Sequence, residues 1–205
     1  MGELLLLSGG LDSTCVAVRD CPAGALVIDY GQRPAPAETR AAVYVAEWAG
    51  IPLIKLRADC SAVGNGLLAK GESAPGAPSP EWWPFRNQLL VTLAASVALK
   101  EGFDSVAVGS VAGDGDRHID GTDRFYSQLR SLLVMQEGNI ELRTPCIDQS
   151  TSDLVASVDL PDHVLVMTHS CHMADMACGW CPGCLKRQEV FRETGRLQPT
   201  SLVDG

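Results

Sequence analysis

Basic residues are scarce in this chain: 16 Lys and Arg stand against 25 Asp and Glu among 205 residues, a formal charge of −9. Nonspecific nucleic-acid binding depends on clustered cations that neutralise phosphates, so this acidic balance speaks against it. Any phosphate the protein handles has to be met by a local pocket, not by overall field. Long apolar runs are also missing. None approaches the roughly 20 residues needed to span a bilayer. Leu4–Leu7 is too short for a signal-peptide core and has no basic residue ahead of it. The expectation is a cytoplasmic protein with no membrane partner. Internal repeats and heptads are absent too. What remains is ordinary globular composition, 46% hydrophobic and 20% charged, at a length that suits one α/β domain with room for a small appendage.

Apolar runs alternate with helical patterns, as in a parallel, doubly wound sheet. Strands are expected at Leu4–Leu7, Ala25–Asp29, Pro52–Leu56, Ser105–Gly109 and His163–Met167. Helices are expected at Thr14–Arg19, Glu38–Ala49 (ended by Gly50) and Asn87–Lys100. Residues 69–84, rich in Pro, Gly and Ser, form neither and are expected as a long loop, with Trp82 and Trp83 as its ordered, packed end.

The eight cysteines divide into two sets. Cys15, Cys21, Cys60 and Cys146 are scattered through apolar surroundings, whereas Cys171, Cys178, Cys181 and Cys184 are bunched. With no export signal, bunching points to metal before disulfides. The C-x6-C-x2-C-x2-C spacing gives four thiolates, a full tetrahedral shell for a structural Zn²⁺. An iron–sulfur cluster and two disulfides are the alternatives. His169 and His172 flank the set and are read as surface residues or as supports of the ligands.

At the other end, Leu4–Leu7 runs directly into Ser8-Gly9-Gly10-Leu11-Asp12-Ser13. A strand, a glycine turn and a helix N-terminus make an anion site, because the first helical N–H groups point outward unsatisfied. The segment lacks the Lys of a Walker loop and is not G-x-G-x-x-G. S-G-G-x-D-S after an apolar strand resembles the pyrophosphate loop (PP-loop) of the N-type ATP pyrophosphatases, which cleave ATP between its α and β phosphates to activate a substrate oxygen. A βα turn capped by Asp12 or Ser13, with no ligand, is the competing interpretation.

Together the two ends resemble the 7-cyano-7-deazaguanine synthases, the zinc-containing family of PP-loop enzymes. "DYGQR" (29–33), "PFRN" (84–87), "GSVAGDGDRHIDGTDRF" (109–125), "RTPC" (143–146) and "GWCPGCLKR" (179–187) match that family's segments in order along nearly the whole chain. The resemblance implies an α/β fold with a doubly wound parallel sheet, Rossmann-like and of the adenine nucleotide α-hydrolase type. It divides the chain into a PP-loop ATP-binding domain (1–168) and a small zinc-binding C-terminal region (169–205).

The resemblance also implies an ATP-dependent ligase that adenylates the carboxylate of 7-carboxy-7-deazaguanine and converts it with ammonia, through the amide, to 7-cyano-7-deazaguanine. Ser8, Gly9, Gly10, Leu11, Asp12 and Ser13 would hold ATP and its Mg²⁺, and Cys171, Cys178, Cys181 and Cys184 the Zn²⁺. Arg33 and Arg86 would neutralise phosphate or carboxylate, while Asp114 and Asp120 would read the guanine-like edge. For each Arg a surface salt bridge, and for each Asp a turn or cap, is the plainer role. Tyr30 and Trp180 are candidates to stack on a base. A homodimer is implied as well.

Three departures stand out. Pro34 replaces a His, Ser150-Thr151 stands where a Lys follows the T-P-L element, and "RHIDGT" replaces Gly-Tyr-Pro-Asp-Cys-Arg. Arg117, His118, Lys186 and Arg187 are the cations available to compensate. Other activities stay open: passing the acyl group to another amine such as a protein N-terminus, tRNA thiolation with Cys15 and Cys146 as reactive pair, or a zinc and nucleotide module without turnover.

Overall fold

The computed structural model describes residues 2–69 and 71–196. Five strands, β1 (Glu3–Leu6), β2 (Gly24–Asp29), β3 (Leu53–Arg57), β4 (Ser105–Val108) and β5 (Glu141–Arg143), form one sheet in the order β3-β2-β1-β4-β5, every pair parallel. The helices are α1 (Leu11–Asp20), α2 (Ala35–Ala49), α3 (Arg86–Glu101), α4 (Asp114–Arg117), α5 (Asp123–Leu133), α6 (Thr151–Ser157), α7 (Asp162–Met167) and α8 (Pro182–Thr194).

The leucine run of β1 is buried on both faces, and that is why it shows no alternation. Leu5 and Leu7 join Ala25, Val27 and Ala107 in a core packed by residues of α1, α2, α6, α7 and α8. Leu4 faces the other way, with Leu26, Val106 and Leu142, under α3 and α5. Helices on both faces make the sheet doubly wound. Trp83, at the end of the long loop, is 2% exposed and meets Tyr30 edge-on at 4.9 Å, the ordered anchor expected of that segment.

The fifth strand is not where the apolar run suggested. His163–Met167 lies inside α7, and the sheet edge beside β4 is taken by Glu141–Arg143. Pro161 occupies the N-cap of α7, its carbonyl accepts the N–H of both Val164 and Leu165, and Asp162 sits in the first turn. Those are helix-start signals, and a five-residue apolar run carries too little periodicity to outweigh them. The true edge strand buries only Leu142 between two exposed charged residues, a pattern that guards an edge and hides it from an apolar search.

α1 opens at Leu11, three residues before its expected start, so Asp12 and Ser13 lie in its first turn. α8 packs across α6, which carries the C-terminal region onto the sheet's helical layer. Residues 197–205, the end of the expected zinc-binding region, lie outside the described residues.

Candidate active site

The strand order reverses between β1 and β4, and the segments leaving their carboxyl ends diverge. This switch point is where open α/β sheets place ligands. Ser8–Ser13 follows β1, and Gly109-Ser110 follows β4. Gly9 has φ +76°, and a Cβ there would stand 2.6 Å from Ala41 Cβ and 2.8 Å from both Ala42 N and Glu38 O. The loop can hug α2 only as glycine. Its hydroxyls are tied together: Ser8 Oγ lies 3.1 Å from Ser13 Oγ and accepts the Gly10 N–H at 3.3 Å. From the far end of the chain, the His169 N–H donates to Gly9 O at 2.8 Å.

Two cavities of about 250 Å³ each open over this loop, and a smaller one of about 180 Å³ adjoins them; all are bounded by Arg86 and His172. One runs beneath Tyr30 and Leu68, one beside Glu81 and His118, and one under Thr151 and Lys186. Asp12 lines the two cavities over the loop. Its Oδ2 is 3.4 Å from Lys186 Nζ, while its Oδ1 is buried without a partner. Burial raises its pKa, with Lys186 opposing. An orphaned carboxylate oxygen at the head of an anion loop fits the hard-oxygen preference of Mg²⁺ arriving with a nucleotide.

Of the other expected site residues, Arg86 and Asp114 reach the crevice. Arg86 begins α3, facing Tyr30 and Glu38. Asp114 accepts the Val111 N–H at 3.2 Å and meets Lys186 Nζ at 3.3 Å. Asp120 instead serves α3: its Oδ2 accepts the Asn87 N–H at 3.2 Å, and its carbonyl accepts Asn87 Nδ2 at 2.7 Å. Arg33 is exposed and lines none of these cavities. Pro34, in place of the expected imidazole, forms the N-cap of α2. Trp180 is 60% exposed on the cysteine loop, whereas Tyr30 does line the crevice.

Glu38 is not legible as a site residue in the sequence, and Thr151, noted there only as a departure, lines the third cavity. Gln32 of "DYGQR" clamps Glu38, donating to its Oε2 at 2.7 Å and to Ile28 O at 3.1 Å. Burial pushes the Glu38 carboxyl up against the pull of Gln32 and Arg86. A Glu at the start of a helix reads as a dipole partner; only the fold shows that it faces a cavity.

The four clustered cysteines bring their sulfurs within 4.8 Å of one another. Cys178–Cys184 and Cys171–Cys181 are both 3.9 Å apart and all are free thiols. Metal–sulfur bonds of about 2.3 Å in a tetrahedron put sulfurs about 3.8 Å apart, so the set fits one ion. N–H groups of His172, Met173 and Cys181 donate to these sulfurs. The N–H groups of Trp180 and Cys181 help hold the Cys178 thiol down to about 6. The histidines are not needed as ligands: His172 lines the crevice, and His169 lines the third cavity.

Cys15 and Cys146 are fully buried, and burial, reinforced by Asp12, pushes the Cys15 thiol up to about 12. Neither is a reactive pair. Native labelling with iodoacetamide at pH 7.5, followed by peptide mass spectrometry, is expected to modify exposed Cys21 and spare both; rapid labelling of Cys15 would contradict this.

A parallel sheet whose switch-point crevice is floored by S-G-G-x-D-S defines a PP-loop protein, the class that works on ATP. Comparison with known proteins sharpens this. The family model described as "Queuosine biosynthesis protein QueC" matches residues 3–195. The 7-cyano-7-deazaguanine synthase of Campylobacter curvus is 32% identical, covering 93% of this chain and 92% of its own. That of Koribacter versatilis is 33% identical, covering 96% and 91%. Among solved structures, the U34-tRNA thiolase NcsA from Methanococcus maripaludis, with its 4Fe-4S cluster, matches at TM-score 0.51 and 17% identity. It covers 95% of this chain and 64% of that one, a likeness of fold. The chain belongs to the QueC family. It is an ATP-dependent carbon–nitrogen ligase of the 7-cyano-7-deazaguanine synthase type.

Proposed function

We propose that the protein activates the carboxylate of 7-carboxy-7-deazaguanine with ATP and carries it, with ammonia, through the amide to 7-cyano-7-deazaguanine. The observation that carries this reading is the convergence of the loop, Arg86 and Asp114 on one crevice at the switch point.

A carboxylate is a poor acyl donor because its leaving group would be oxide. Attack by its oxygen on the α-phosphorus breaks the bond to the β-phosphate, releases pyrophosphate and leaves an acyl adenylate. Ammonia then attacks the carbonyl carbon; AMP leaves and a proton is lost, giving the amide. In a second activation the amide oxygen takes an adenylyl group from another ATP. Loss of AMP and two protons leaves the nitrile. Such chemistry needs positioning and charge stabilisation more than covalent help.

In this reading the Gly10 N–H and the first N–H groups of α1, with Ser8 and Ser13, grip the phosphates; Asp12 holds the Mg²⁺ that accompanies them. Arg86, half-buried beside Tyr30, neutralises phosphate or the substrate carboxylate. Asp114 accepts from the N–H groups of the base. Zn²⁺ on the four thiolates would supply a closed structural centre, with no open position for substrate.

The test is to incubate the protein with ATP, Mg²⁺ and 7-carboxy-7-deazaguanine, with and without ammonium, and to read products by mass spectrometry. Nitrile together with AMP and pyrophosphate is expected. Amide that forms only when another amine is supplied would reassign the acceptor. Bound ATP without AMP release would overturn the enzyme reading of this site.

A further inference from the structure

A nucleoside triphosphate brings several negative charges into a crevice already walled by Asp12, Glu38 and Asp114. Cations have to offset both sets. Four Lys and Arg side chains line the cavities: Arg86, Arg117, Lys186 and Arg187. Arg187 is committed elsewhere, donating to Thr168 Oγ1 and to Leu165 O and lying 4.5 Å over the Phe191 ring. Arg117, on the rim, is paired with buried Glu81, and His118 Nε2 lies 3.7 Å from the same carboxylate. Arg86 faces Tyr30 and Glu38 at the opposite wall.

Lys186 is different. Its ammonium lies 3.4 Å from Asp12 Oδ2 and 3.3 Å from Asp114 Oδ1, between the PP-loop and the segment after β4. Charge-assisted bonds close to about 2.7–2.9 Å when fully made, so both contacts are loose. The side chain is 43% exposed and sits on a flexible four-carbon stem.

We propose that Lys186 is a phosphate-binding catalytic residue of this ligase, parked between Asp12 and Asp114 until the nucleotide arrives. The proposal rests on the adenylation reading above. Thr151 lies on the wall of the same cavity, its hydroxyl buried without a partner. That is the position where the resemblance implies a lysine. Lys186 reaches this volume from another element, so the charge missing at Thr151 is delivered by α8.

The exchange is consistent on all three sides. Phosphate oxygens replace two carboxylates around the ammonium. Asp12 is released towards the cation that travels with ATP, and Asp114 towards the N–H groups of the base.

The delivery is rigid. Lys186 follows Cys184 by two residues, on the first turns of a helix whose N-cap is Cys181. A Cβ on Gly183 would fall 1.9 Å from Ser170 O and 2.8 Å from the His172 ring, so the helix start is pressed against the cysteine loop. The metal-binding knuckle is thereby a mount for an active-site cation, and not only a clasp for the C-terminal region.

A plain docking latch between α8 and the loop is the rival role, and Lys186→Met separates the two. Wild type, Lys186→Met and Lys186→Arg are compared for ATP kcat and KM, for affinity towards a non-hydrolysable ATP analogue by titration calorimetry, and for metal content and melting temperature. The expected result is a 10²–10³-fold loss of kcat/KM for ATP in Lys186→Met, the scale of a lost transition-state charge contact. At least tenfold weaker analogue binding, full metal content, and partial rescue in Lys186→Arg should accompany it. Lys186→Met with wild-type kcat, KM and analogue affinity, and a lower melting temperature only, makes Lys186 a latch and overturns the proposal. Failure of the wild type itself to release AMP and pyrophosphate would instead remove the adenylation reading beneath it.

Discussion

Gly9→Ala is expected to lower ATP turnover by at least about 10²-fold while leaving a folded chain, the loss known to follow from displacing a reacting group by about 1 Å. Two effects add at this position. A left-handed φ costs a non-glycine residue roughly 1–2 kcal/mol, and here φ is +76°. The new Cβ would also stand 2.6–2.8 Å from Ala41 Cβ, Ala42 N and Glu38 O. Two of those three atoms are α2 backbone and cannot rotate away, so the loop has to lift off the helix. The anion site lifts with it, because Gly10 N and the α1 amides are continuous with Gly9. A domain with a net stability of about 5–15 kcal/mol survives a strain of a few.

Gly10→Ala is the informative contrast. Gly10 has φ −77°, and its Cβ would find nothing nearer than Ser8 Oγ at 3.4 Å. It should melt at the wild-type temperature, so any loss of turnover reports crowding of the phosphates alone. Thermal melting by circular dichroism and AMP release measured on both variants decide the matter. A Gly9→Ala protein with wild-type turnover and melting temperature would mean that the loop does not need this conformation.

What the sequence discloses about this molecule is what is encoded locally. S-G-G-x-D-S, its strand and its helix are contiguous, so turn chemistry alone puts an anion site at residues 8–13. The cysteine spacing is local as well, and the four sulfurs do converge. Local reading fails where register or packing decides. "HVLVM" is as apolar as a buried strand, yet Pro161 and the α2 surface make it helix, and "ELR" becomes a strand only because β4 offers an edge. The site suffers the same limit. Asp120 and Arg33 stand in segments that match the family, and the sequence does not show that one binds Asn87 beside Arg86 while the other is exposed. Conversely, Asp12, Asp114 and Lys186 lie far apart in the chain and meet only because β1 and β4 end, and α8 begins, at one crevice.

Removing the metal should have the largest effect on the C-terminal region. The cluster is itself the local core: among the described residues, Cys171, Cys181 and Cys184 are buried there with only Leu67, Met173, Ala174 and Cys178 packed against them. So little apolar surface cannot order the loops from Cys171 to the start of α8, whereas structural Zn²⁺ sites contribute roughly 10–16 kcal/mol. Two of the ligands also resist ionising without it. Burial pushes the Cys184 thiol up to about 12 and raises Cys181 too, while Cys178 is held down to about 6.

Coordination needs thiolates, so binding releases protons and weakens as pH falls; the apo form gains ground on the acid side. One metal per chain is expected by mass spectrometry of the elements, with zinc giving a colourless protein and an iron–sulfur cluster a visible absorption band. Chelation, or Cys181→Ser, should then abolish hydrogen-exchange protection in the first turns of α8, next to the cluster, while β1, β2 and β4 keep theirs, since those strands lie in cores to which the cysteine cluster does not belong. Retained protection of the first turns of α8 after the metal is gone would show that packing against α6 and the main core holds the helix unaided, and that the thiolates do not fold this region.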